Sequence, residues 1–86
     1  MNYSTFLRHE AQGVRNKDAR VRGPRILEAV AKWNDTGKLP KGFTFDECIS
    51  YCEAQFDWAN QTSRKASAAV YQRVIRDLWP HKGDSK

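Results

Sequence analysis

Between positions 45 and 56 the apolar side chains are Phe45, Cys48, Ile49, Cys52 and Phe56. That is the i, i+3, i+4, i+7, i+11 spacing of one helical face. Thr44-Phe45-Asp46-Glu47 stands directly before it as a capping box. The Thr44 hydroxyl is expected to accept from the backbone amide three residues on, with Glu47 reaching back. Phe43 and Cys48 have the spacing of a hydrophobic staple, and Asp46 and Glu47 suit the positive end of the helix dipole. No segment of the chain shows strand alternation, so the expected fold class is all-α, a compact bundle of three or four helices.

A second helix is expected to open at Gly23-Pro24, because the amide that proline lacks has no partner in a first helical turn. Ile26, Leu27, Val30 and Trp33 form its stripe, and Gly37 suits the left-handed residue that closes it. A weaker N-terminal helix is expected within 1–13, near Ser4–Gln12, with Ser4 as N-cap and Gly13 as its end. Asp57–Gln61 interrupts the pattern and reads as a turn. A last helix is expected from Thr62 or Ser63 to Leu78 or Trp79, stopped by Pro80. On a helical wheel Val70, Tyr71, Val74, Ile75 and Leu78 share its apolar face. The expected organisation is one domain over 1–86, with a basic connection at 14–23, a helical core at 24–79 and a tail at 80–86.

Charge narrows the function. The 86 residues carry 15 Lys and Arg against 10 Asp and Glu, a net +5, and 40% are hydrophobic. That is a globular balance rather than that of a disordered tail. No apolar run reaches the ~20 residues of a membrane span, and the N-terminus lacks a secretory apolar stretch. Two cysteines make no disulfide framework. Cys48 and Cys52 are one helical turn apart, but a structural metal site usually needs four ligands. They are expected to be reduced core thiols, with no metal and no cofactor, in a cytoplasmic protein. Neither His9 nor His81 has an evident carboxylate partner, and Asp46 and Glu47 are accounted for by capping, so no enzyme is expected.

The first 43 residues hold nine Lys or Arg and four Asp or Glu, while residues 44–86 balance at six of each. Arg15, Lys17, Arg20, Arg22 and Arg25 crowd one stretch against Asp18 alone. Such a segment can follow a phosphate backbone or enter a narrow minor groove. It can equally be a solubilising loop. The last two helices have the layout of a helix-turn-helix, with Lys65, Gln72, Arg73 and Arg76 on the outer face of the second. Gln72 can read an adenine edge, and the cations can read guanine or neutralise phosphates. A solvated helix face is the plain alternative.

Arg25-Ile26-Leu27-Glu28-Ala29-Val30, Phe43-Thr44-Phe45-Asp46-Glu47 and Ala68-Ala69-Val70-Tyr71-Gln72-Arg73-Val74-Ile75 together resemble a winged helix-turn-helix. They are similar to the DNA-binding half of ferric uptake regulators, over about residues 25–79. The resemblance implies duplex DNA binding and a DNA contact at Tyr71. Ala69 and Gln72 stand where that family has Thr and Arg, and only seven residues follow Trp79, too few for the usual β-hairpin wing. These 86 residues hold no counterpart of the family's metal-binding dimerisation domain.

The expectation from sequence is a small DNA-binding accessory or regulatory protein. Lys65, Gln72, Arg73 and Arg76 would give recognition, and Arg15, Lys17, Arg20, Arg22 and Arg25 backbone affinity. Useful specificity from so small a surface would call for a homodimer or a partner. The alternative is a protein-binding module of the kind phages and mobile elements use against host complexes, with Trp58 as an aromatic anchor.

Overall fold

The chain divides into two helical units, Met1–Phe43 and Thr44–Lys86. The computed structural model describes residues 3–17 and 23–83, with the backbone alone at 14–17. It holds four α-helices: α1 (Ser4–Lys17), α2 (Gly23–Thr36), α3 (Phe45–Gln61) and α4 (Lys65–Leu78). A 3-10 turn at Trp79–His81 follows. The fold is all-α, and no strand, hence no β-hairpin wing, occurs among the described residues. Among them, too, no helix is long and apolar enough to cross a membrane.

In the first unit α1 packs on α2. Tyr3, Leu7 and Ala11 bury one edge at i, i+4, i+8, opposite Ile26, Leu27, Ala29, Val30 and Ala31. Helix α1 runs past Gly13, its expected end, to Lys17. Gly ends a helix when its backbone turns left-handed, and Gly13 is not among the glycines with positive φ. Arg15 and Lys17 are therefore helical rather than part of a loop. Arg20 and Arg22 lie outside the described residues.

Ser4 is not an N-cap but the first residue of α1, and its side chain is committed to α2. The first helical bond instead runs from the Leu7 amide to the Tyr3 carbonyl, at 3.0 Å. The Ser4 hydroxyl is buried within 2.5 Å of Asp35 Oδ1, 2.8 Å of Asn34 Oδ1 and 3.2 Å of the Ala31 carbonyl. A hydroxyl has one proton, and the carboxylate is its strongest acceptor here. Arg8 Nη2 donates to the other Asp35 oxygen at 2.7 Å. Helix α2 opens at Gly23-Pro24 and ends as its sequence indicates. Gly37 takes φ +81°, and its amide donates to the Trp33 carbonyl at 2.7 Å.

In the second unit Thr44 caps α3 from an extended backbone, accepting from the Glu47 amide at 3.1 Å. Cys48, Ile49 and Cys52 are buried, while Phe45 and Phe56 are half-buried. The helix does not break at Asp57. It continues to Gln61, because Ala59 extends the buried stripe seven residues beyond Cys52 and nothing between is Gly or Pro.

Helix α3 ends in a Schellman motif. The Arg64 amide donates to the Ala59 carbonyl at 2.7 Å and the Ser63 amide to the Asn60 carbonyl at 3.2 Å. Ser63 is left-handed, with φ +60°. This motif moves the start of α4 from Thr62 or Ser63 to Lys65, with Arg64 as an N-cap that makes no side-chain cap bond.

Helix α4 buries Ala68, Tyr71, Val74 and Leu78. Its buried face is rotated from the wheel's placement: Val70 and Ile75 are half-buried, and Ala68 is sunk instead. Tyr71 is fully buried, on the apolar face, and presents no surface for a DNA contact. After Trp79–His81 the chain returns to the start of α3. The His81 ring stacks on Phe45 with centroids 4.8 Å apart, and the Gly83 amide donates to Asp46 Oδ1 at 2.9 Å.

Candidate nucleic-acid interface

That return fixes how α3 and α4 cross. At 1.5 Å per residue they are about 25 and 21 Å long. Crossing at the ~90–120° of a DNA-binding helix-turn-helix would leave their far ends roughly 23–33 Å apart. The contacts of Phe45 with His81 and of Asp46 with Gly83 bring those ends together. The pair is thus an antiparallel helix–turn–helix, an αα-hairpin with a three-residue turn. Its outer surface is the full length of α4 rather than a projecting helix N-terminus.

Lys65, Gln72, Arg73 and Arg76 are all exposed. At 3.6 residues per turn, they and Ala69 span about 100° of the α4 circumference. Gln72, Arg73 and Arg76 line one surface groove of about 710 Å³ with Ile75, Trp79 and Pro80. Beside it lies a second groove, with Glu53 and Asp57 of α3 facing Gln72 and Ile75. Gln72 therefore sits on the boundary between a basic strip and an acidic one. An anion on α4 is drawn toward Arg73 and Arg76 and repelled from the α3 side.

Arg25 is exposed in the first unit and lines a groove with Glu28, Lys32 and Lys41. Arg15 and Lys17 are in the last turn of α1.

Trp58 lies in the last turn of α3 rather than in a turn between helices, and it is 41% exposed. The Arg64 guanidinium stands over its ring, 5.0 Å from the centroid.

Trp79 is the residue that sequence reasoning missed. Pro80 marks it as a helix end, yet it is 49% exposed and lines the basic groove. The wheel gives its direction but not its exposure. Gln72, Arg76 and Trp79 follow i, i+4, i+7, so the indole continues the polar stripe, not the apolar one. Lys82 Nζ lies 4.4 Å from the Trp79 ring centroid.

Cys48 and Cys52 are both free and buried. Burial pushes the Cys52 thiol up to about 12, with Cys48 and Glu53 adding to the effect. A thiol held protonated is a poor nucleophile and a poor ligand. Among the described residues no group of three or more His, Cys, Asp or Glu is placed to hold a metal. No protein-family model matches the chain, and neither a curated protein nor a solved structure matches it.

Proposed function

We propose that this chain is a small, cytoplasmic DNA-binding accessory or regulatory protein whose contact surface is the outer face of α4. The observation that carries this reading is the gathering of Lys65, Gln72, Arg73 and Arg76 on one exposed strip, with Glu53 and Asp57 across the neighbouring groove on α3 and Asp77 exposed one turn beyond Arg73. An antiparallel hairpin favours laying this strip along phosphates over inserting a helix end into the major groove. Arg15, Lys17, Arg20, Arg22 and Arg25 add affinity for the backbone in the same way.

The test is fluorescence anisotropy with labelled duplex at several salt concentrations. A footprint of about four to six phosphates gives a log–log slope of about −3.5 to −5.5. Absence of duplex binding at low salt, where electrostatic attraction is strongest, ends this reading. A second reading, a protein-binding module, is favoured by the exposure of Trp58. It would leave duplex binding weak and insensitive to Gln72.

A further inference from the structure

We infer that the α4 groove takes DNA carrying an unpaired base, which stacks on Trp79 while Arg73 and Arg76 hold the phosphates beside it. The inference rests on the DNA reading above and names the form of DNA that this site takes. Three observations carry it. The Trp79 indole keeps half its surface in water and so has a face open to a ligand. It lines the groove that holds Gln72, Arg73 and Arg76. A cation is already seated on its ring, Lys82 Nζ at 4.4 Å from the centroid.

The chemistry selects the occupant. Bases inside a duplex are stacked on each other and offer no free face, whereas an unpaired base does. Aromatic platforms between cations are how proteins hold single strands. Along α4, Arg76 and Trp79 are separated by a rise of about 4.5 Å and Arg73 and Trp79 by about 9 Å. Both distances are on the scale of a nucleotide, so one phosphate can meet an arginine while its base meets the indole. Glu53 and Asp57 border the groove on the α3 side and keep the phosphates toward the arginines. An acidic peptide would satisfy the arginines too, but a flat, half-exposed indole beside a polar Gln72 suits a planar, hydrogen-bonding base better than an aliphatic anchor. A base stacked on the ring displaces Lys82 toward the same strand, where its ammonium meets a phosphate.

The test compares a labelled blunt duplex with the same duplex bearing a 3′ oligothymidylate overhang. Trp79→Phe and Trp79→Leu are compared with the parent, and circular dichroism confirms the helices of each. The parent is expected to prefer the overhang by about 5- to 100-fold. Trp79→Phe, which keeps an aromatic face, retains most of that preference. Trp79→Leu, which keeps bulk but no π face, loses it, its affinity for the overhang falling to its own affinity for blunt duplex. Should Trp79→Leu unfold, quenching of the parent's indole emission by oligothymidylate, absent from Trp79→Phe, supports the proposal in its place. Equal binding of overhang and blunt duplex by the parent overturns the stacking site and leaves the DNA reading standing. Failure to bind any DNA overturns both. Tighter binding of a labelled polyglutamate peptide than of either DNA also overturns the proposal and moves the groove to a protein partner.

Discussion

The Arg64 guanidinium lies over the Trp58 indole, 5.0 Å from the ring centroid, and so clasps the last turn of α3 to the residue that precedes α4. Thr62 reinforces the joint, its hydroxyl donating to the Trp58 carbonyl at 2.9 Å. A double-mutant cycle of Trp58→Ala and Arg64→Ala, followed by urea denaturation, should give a coupling of about 0.5–1 kcal/mol. A coupling near zero would release Trp58 from this clasp and return it to the role of a partner anchor.

Ser63 occupies the left-handed position of the Schellman motif without being Gly. An L-residue pays about 1–2 kcal/mol there, and part of that gain is lost to the greater freedom of Gly in the unfolded chain. Ser63→Gly should therefore raise stability by roughly 0.5–1 kcal/mol, read as a higher urea midpoint with an unchanged slope. A lower midpoint would mean that the Ser63 side chain supports the turn.

Ile49 is 1% exposed, whereas Val70 is half-buried. Ile49→Asp buries an unpaired charge and should cost several kcal/mol, enough to unfold a domain of this size. Val70→Asp leaves its carboxylate a route to water and should melt closer to the parent. Ala68→Leu, by overpacking a 5% exposed position, should cost about 1–3 kcal/mol. Thermal melts by circular dichroism rank the three, and the order Ile49 worst, Val70 mildest checks the rotation of α4.

The Asp35 carboxyl is held below its ordinary value, first by the Ser4 hydrogen bond and then by the Arg8 hydrogen bond, against an opposing effect of burial, with the Arg8 charge contributing least. A depressed folded pKa means that the unfolded chain binds the proton more readily. The stabilisation is therefore whole at neutral pH. It begins to fade as pH falls to the ordinary carboxylate range and is gone once pH has passed below the lowered folded value. Asp35→Asn should be less stable than the parent at neutral pH and converge with it under acid, measured by urea denaturation across that range. A gap that persists in acid would show that Asp35 acts through packing rather than charge.

Arg76 and Gln72 divide charge from sequence reading. Arg76→Ala should flatten the salt dependence of duplex binding by about one unit if it meets one phosphate. Gln72→Ala should leave the slope in place and weaken discrimination among sites, because a base-edge hydrogen bond carries sequence information without charge. Anisotropy titrations on a panel of duplexes separate the two, and equal effects from both would argue against any base contact at Gln72.

The features that sequence alone determined are those decided within a turn or two of chain. The Thr44 cap, the Pro24 start and the left-handed Gly37 are local devices, satisfied by neighbours at fixed offsets. The Cys48, Ile49, Cys52 stripe follows from helical period alone. Where a helix ends and which way it faces depended on partners distant in sequence. Helix α1 passes Gly13, and Ser4 serves α2 instead of its own helix. Helix α3 continues through Trp58 because Ala59 is buried. The wheel defined an apolar arc on α4, but only packing against α3 decided that Ala68 would be buried and Val70 only half-buried. Trp79 shows the limit most plainly. An indole is core or surface according to where the chain goes next, and it was the return of His81 and Gly83 to Phe45 and Asp46 that left it facing water beside Arg76.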